Sequence, residues 1–186
     1  MKNNFINTQI TGGRYRSRTV KSPMSEATHP MGSRERLAIM NSLAPVLEDA
    51  VVLDLYAGTG ALGIEALSRG AKSVVFVEKN HKVAAILKEN LKTFGVEPDV
   101  AEVYENDVAK VDLNNKNFDV VLIDPPYDKF DEFEKCFSEI FANVIKNAPK
   151  IVISHSKSTE VSFPELEDYK KTDKTFAGAG IATFTK

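Results

Sequence analysis

Cysteine is all but absent: Cys136 stands alone among 186 residues. One thiol excludes an intramolecular disulfide and any cysteine metal cluster. The three histidines, His29, His81 and His155, fit neither a metal-ligand spacing nor a catalytic triad, so no metal is expected. No apolar run is long enough to cross a bilayer, and Met1 to Ile10 lacks the apolar core of a signal peptide. Internal repeats and low-complexity tracts are missing as well. The expectation is a soluble cytoplasmic protein, a monomer with no membrane partner. At 42% hydrophobic and 27% charged residues it can bury a full core. Cys136 itself falls among Phe133, Phe137, Ile140 and Phe141, which marks it as packing.

What is present is unevenly spread. The net charge is −2, yet Met1 to Arg36 holds seven basic residues against Glu26 and Glu35. That segment carries +5 and the remainder −7. A basic arm on an acidic body points to a polyanionic partner, although a merely solvated arm has the same composition. Within Gln9 to Ser22, Gly12-Gly13 reads as a hairpin turn between two short strands. Arg14, Arg16 and Arg18, spaced two apart, would then project from one strand face and, with Lys21, Arg34 and Arg36, suit phosphate contacts. Pro23 to Gly32 reads as a loop. Ser33 is the expected N-cap of a helix over 34–44, with Leu37, Met40 and Leu43 inward and Pro45 as its end.

From Ala50 the pattern alternates short apolar β-branched runs with helical segments, the rhythm of a parallel sheet covered on both faces. Strands are expected at 50–55, 73–77, 100–104, 118–123 and 151–154, and helices from the glycine turn to about 69, at 80–94 and at about 131–147. The polar link 108–117 is too short for a good crossover helix. An antiparallel hairpin, 169–176 with 181–185, closes the chain. The fold class is therefore α/β, a doubly wound, mostly parallel seven-stranded sheet, with a small N-terminal β-hairpin extension. Two units follow: residues 1–32 as hairpin and loop, and 33–186 as the sheet domain.

Chemistry concentrates at the strand ends. After the run Phe118 to Ile123, Asp124-Pro125-Pro126-Tyr127 stops the strand abruptly, because each proline forbids helix at the residue before it. A carboxylate, rigid carbonyls and an aromatic ring are thereby held where open α/β sheets bind ligands. The Asp124 carboxylate and the Pro125 carbonyl are two acceptors, matched to the two N–H donors of an exocyclic amine. Tyr127 offers a face for a flat ring. That set suits chemistry on a nucleobase amino group. Upstream, Asp54-Leu55-Tyr56-Ala57-Gly58-Thr59-Gly60 brings backbone close to a ligand, and Glu78 ends the next strand, placed for ribose hydroxyls. Two cofactors compete here. Gly58, Gly60 and Gly63 satisfy the G-x-G-x-x-G of nicotinamide dinucleotide sites. Asp54, at the mouth of the turn, would repel a pyrophosphate and suits the ammonium of S-adenosylmethionine instead. Asp107 would then accept from the adenine amino group, with Asn106 assisting. Each residue taken singly could serve only as a cap or as packing.

The stretches VLDLYAGTGALGIEALSRGA (Val52 to Ala71) and VVLIDPPY (Val120 to Tyr127) resemble the class I S-adenosylmethionine-dependent methyltransferases that modify exocyclic amino groups. The opening ITGGRYRSR (Ile10 to Arg18) is similar to that of the bacterial 16S ribosomal RNA guanine-N2 methyltransferases of the guanine-966 type. The resemblance spans nearly the whole chain. It implies 16S ribosomal RNA as partner, free or within the small subunit or its precursor, and S-adenosylmethionine as cofactor. It implies cofactor contacts at Asp54, Tyr56, Gly58, Thr59, Gly60, Glu78, Asn106 and Asp107, and catalysis at Asp124, Pro125, Pro126 and Tyr127. The chain departs from that family's pattern at His29, Met31 and Leu37, within a segment tied to RNA binding, while Pro30, Arg34 and Arg36 are kept. Rival readings are a DNA or other RNA amino methyltransferase (N6-adenine), a protein glutamine methyltransferase, and a non-catalytic RNA-binding module with a relict cofactor pocket.

Overall fold

A computed structural model describes residues 5–23 and 31–186. Expectations resting on Lys2, Glu26, His29 and Pro30 lie outside the described residues. The sheet follows from the apolar runs. Strands β3 (Val51–Leu55), β4 (Ser73–Val77), β5 (Ala101–Tyr104), β6 (Val120–Ile123) and β7 (Lys150–Ser156) pair in parallel. Antiparallel β8 (Lys170–Thr175) and β9 (Ala179–Thr185) complete the order β5-β4-β3-β6-β7-β9-β8. This is the doubly wound seven-stranded sheet the sequence implies.

Alternate residues of the central strands feed two cores, which is why their runs are continuously apolar. On one face Val52, Val74, Phe76, Val120, Leu122 and Val152 pack beneath α1 (Ser33–Leu47), α2 (Ala61–Ser68) and α3 (His81–Phe94). On the other, Leu53, Leu55, Val121, Ile123 and Ile153 meet Phe130, Phe133, Phe137 and Ile140 of α4 (Phe130–Ile140). The link 108–117 forms no helix, and Val108, Val111 and Leu113 cover that face directly. The helical run after β6 starts with a 3₁₀ turn at Tyr127–Lys129 and ends in a π-helical turn at Phe141–Ile145.

The amino-terminal region differs from expectation. Strands β1 (Phe5–Gln9) and β2 (Thr19–Pro23) pair antiparallel, Phe5 opposite Pro23 and Gln9 opposite Thr19. Gly12-Gly13 is therefore not a tight turn between adjacent strands, and Arg14, Arg16 and Arg18 are not on a strand. They sit in the connection 10–18, which is pinned to the body. Ile10 and Tyr15 are buried in the same core as α1 and α2. Gly13 (φ +75°) lies so close to the end of α2 that a Cβ would stand 1.7 Å from the Ser68 carbonyl oxygen. Helix α1 begins at Ser33 with Gly32 as N-cap, and it runs through Pro45 to Leu47, whose burial in the core holds the last turn. Leu37 is exposed. Arg36 takes the inward place instead because Glu65 lies beneath it, 3.5 Å from its Nε.

Candidate active site

The order of the parallel strands reverses between β3 and β6, which are neighbours in the sheet but not consecutive in the chain. Leu55 pairs with Ile123 at their carboxyl ends, so the glycine turn and Asp124 emerge side by side. A crevice opens at such a reversal, and ligands bind there in open α/β sheets.

The turn is left-handed at Tyr56 (φ +59°), Gly58 (φ +55°) and Gly60 (φ +87°). At Gly60 a Cβ would meet Leu87 at 2.2 Å, so that glycine serves packing. At Gly58 no described residue beyond its chain neighbours lies within 4 Å of a Cβ position, which leaves backbone open to a ligand. Glu78 braces the turn, its Oε2 accepting from the Gly58 N–H at 2.9 Å and its Oε1 from the Asn80 N–H at 2.8 Å. Asp54 is not at the mouth of the turn but beneath it. It is 1% exposed, and its Oδ2 accepts from the Gly63 N–H at 2.9 Å, capping the first turn of α2. Thr59 points away from the crevice, with its Oγ1 2.7 Å from Ser22 Oγ of β2. Tyr56 packs edge-on against Phe133, and burial raises its hydroxyl above the usual range.

Beyond β5, Asn106 Oδ1 accepts from the Asp107 N–H, and Asp107 Oδ1 accepts from the Ala109 N–H. Asp107 Oδ2 is 3.7 Å from Lys79 Nζ. On the α1 side of the crevice, Pro125 is buried, Pro126 is exposed, and Tyr127 is 37% exposed. The Tyr127 hydroxyl lies 2.6 Å from Ser154 Oγ. Asp124 is partly exposed and stands next to Ser154 in strand register. Burial pushes its carboxyl up to about 6, with the Ser154 hydroxyl opposing. Burial raises Asp54 well above the usual carboxylate range, the Gly63 N–H opposes, and the charges of Asp124 and Glu78 add to the rise. Glu78 is raised too, chiefly by burial. Three desolvated carboxylates around one crevice form a site short of positive charge, suited to a cation.

The six basic candidates separate. Arg16 and Arg34 are exposed and, with Leu37, line one shallow groove. Arg14 is exposed, its guanidinium 4.6 Å from the Tyr15 ring centroid. Lys21 is exposed and 3.6 Å from Glu89. Arg18 instead closes α3: its Nη2 donates to the Thr93 carbonyl at 2.6 Å, and it lies 4.3 Å from the Phe94 ring centroid. Arg36 cannot reach a phosphate. It is 3% exposed, donates to the Met31 and Gln9 carbonyls, and pairs with Glu65.

Sequence reasoning missed Ser154, and it missed Asn90 on α3. Asn90 donates to the Thr59 and Lys21 carbonyls and accepts from the Lys21 N–H, so it fastens β2 to the glycine turn. Neither has a local motif. Each is visible only once strand register and helix packing are known.

Residues 8–186 match the family described as Conserved hypothetical protein 95. The chain belongs to this family. A relative, Ribosomal RNA small subunit methyltransferase D of Haemophilus influenzae, is 36% identical over 161 residues, covering 84% of this chain and 83% of that protein. The solved structure of an Escherichia coli protein matches with TM-score 0.82 at 26% identity, over 97% of this chain and 98% of that one. An RNA methyltransferase of Salinibacter ruber in complex with S-adenosyl-L-homocysteine matches with TM-score 0.64 at 19% identity, over 84% and 93% of the two chains, a likeness of fold alone. The family member described here has the class I methyltransferase fold.

Proposed function

We propose that the chain transfers a methyl group from S-adenosylmethionine to the exocyclic N2 of a guanine in 16S ribosomal RNA. The observation that carries this reading is a partly open carboxylate, Asp124, beside a half-exposed aromatic ring, Tyr127, facing a glycine turn across the sheet's reversal point. The likeness to a ribosomal RNA small subunit methyltransferase supports RNA as the substrate. The protein is taken to act in the cytoplasm as a monomer without metal, on free RNA or an assembling small subunit.

The site fits the cofactor. Gly58 leaves room for close backbone approach, and each Glu78 oxygen, holding one N–H, keeps a lone pair for a ribose hydroxyl. Asp107 and Asn106 would take the adenine amino group. Asp54, closed beneath the turn and raised by burial, would favour the ammonium once that cation's charge draws off its proton. Bound there, S-adenosylmethionine supplies an electrophilic methyl group. The chain's own residues do the rest. The guanine amine lone pair is delocalised into the ring, so the nitrogen is a poor nucleophile. Asp124 and the Pro125 carbonyl hold its two N–H bonds and turn the lone pair out of the ring plane. The Asp124 charge stabilises the positive charge that grows on nitrogen. Pro126 fixes the backbone so that Tyr127 stacks on the base, which must be unpaired or extruded to reach it. Exposed Arg14, Arg16, Lys21 and Arg34 contact phosphates.

The test is methylation of ribosomal RNA, free or in small subunits, isolated from cells lacking this protein. Nucleoside mass spectrometry should show one new N2-methylguanosine. N6-methyladenosine, or no product on either substrate, would overturn the reading.

A further inference from the structure

Ser154 belongs to no motif, yet its place is specific. Ile123 of β6 pairs with Ile153 of β7, so the next residues, Asp124 and Ser154, stand side by side at the carboxyl end of the sheet. The other side of Ser154 is held by Ile181 of β9. The side chain is therefore mounted between two strands and is 1% exposed. Its hydroxyl has one proton to give and lone pairs to receive with. Both neighbours face it: Tyr127 Oη lies 2.6 Å away, and Asp124 stands next to it in register, its ionised form favoured by the Ser154 hydroxyl.

The direction of this chain follows from valence. An ionised carboxylate only accepts, so the Ser154 proton goes to Asp124. Ser154 Oγ must then accept from the Tyr127 hydroxyl. The order Tyr127 to Ser154 to Asp124 links the edge of the stacking ring to the carboxylate through one buried atom. One Asp124 oxygen is thereby occupied, and the other is left for an amino N–H of the base. The ring is tied at its para position, so its plane cannot drift independently of the carboxylate.

We infer that Ser154 is a positioning residue for methyl transfer, setting the Asp124 carboxylate and the Tyr127 ring in one fixed relation. The inference rests on the function proposed above. It acts on the orientation of the base, not on cofactor binding, because Ser154 lies beyond Asp124 from the glycine turn in the strand order β3-β6-β7. Preorganisation of this kind appears in turnover, since a slightly misdirected lone pair loses rate far more than affinity.

The experiment is a double-mutant cycle of Ser154→Ala and Tyr127→Phe, assayed by methyl transfer to the RNA substrate. Each single variant should lose about tenfold in kcat, with cofactor Kd and melting temperature close to wild type. The double variant should lose no more than the worse single, because both remove the same link. Ser154→Thr keeps the hydroxyl and should restore most of the rate. Multiplying losses, or wild-type turnover in Ser154→Ala, would overturn the inference. So would Ser154→Thr being no better than Ser154→Ala while melting as wild type. Should Ser154→Ala fold poorly, Tyr127→Phe breaks the link from the exposed side, and its unchanged kcat would overturn the inference equally. Wild-type enzyme that makes no N2-methylguanosine defeats the underlying function. Wild-type activity with a neutral Ser154→Ala defeats only the role of Ser154.

Discussion

Asp124 holds its proton more tightly in the folded chain than in the unfolded one, since burial lifts its pKa from 3.8 to about 6. Between those values the folded state binds the extra proton, so stability falls as pH rises through the interval and the loss is complete above it. The ionised group at neutral pH is thus a cost to the fold retained for function, about 3 kcal/mol at roughly 1.4 kcal/mol per tenfold in proton affinity. We expect Asp124→Asn to melt higher than wild type at pH 7.5, with the advantage shrinking as pH is lowered toward 5. Turnover should fall by on the order of a hundredfold or more, because the charge that stabilises the reacting nitrogen is gone. In the wild type, kcat/KM for the cofactor reports the free enzyme and should show an acid limb near pH 6, flat above it. An Asn variant that melts lower at every pH would mean the carboxylate is structural. Asp124 was legible because Asp-Pro-Pro-Tyr is a local device whose prolines dictate its shape. Ser154, its buried partner, was not: a serine at a strand end is ordinary until the register sets it beside residue 124.

At the scale of elements, what could be read and what could not divides along the chain. The β3 to β7 rhythm was legible because each strand is a β-branched run buried on both faces, a pattern that only a covered parallel sheet satisfies. The basic arm was not. Two glycines signal a turn, but they do not say whether it joins adjacent strands or docks on a neighbour, and here Gly13 docks on Ser68. The consequence is a sorting of arginines. Arg18 holds the end of α3 by carbonyl contacts and by the Phe94 ring, so Arg18→Ala should lower stability by roughly 1–2 kcal/mol. Arg16→Ala and Arg34→Ala should leave the melting temperature alone and weaken RNA binding. Each should also reduce the slope of log affinity against log salt by about one. Thermal melts and a salt titration of RNA binding separate the two classes. Equal salt slopes for the Arg16 variant and wild type would remove that residue from the interface.

The whole molecule is tied at a point that charge counting misreads. Arg36 was counted in the basic arm, but it spends its charge on Glu65, a carboxylate that is 0% exposed. Glu65 also accepts from the Thr11 N–H at 3.1 Å and from the Thr11 hydroxyl, and it pairs with Arg69 at 3.0 Å. Arg36 in turn donates to the Gln9 carbonyl at the end of β1 and to Met31 just before α1. One buried anion therefore joins the hairpin, the start of α1 and α2, the helix that the glycine turn leads into. A charge so enclosed adds little net stability over apolar packing, but removing one partner strands the other, at a cost of about 3–5 kcal/mol. Glu65→Gln leaves an acceptor for Thr11 but none of the charge that Arg36 needs. We expect its melting temperature to fall by roughly 10 °C, given about 2–4 °C per kcal/mol for a chain of this size. The loss should be uneven. Arg36 anchors the arm, whereas the cofactor turn keeps its own brace in Glu78, so RNA affinity should fall several-fold below the transition while cofactor affinity holds. Calorimetric titration of each ligand at 10 °C measures both. Parallel loss of the two would show that the arm and the pocket unfold as one unit.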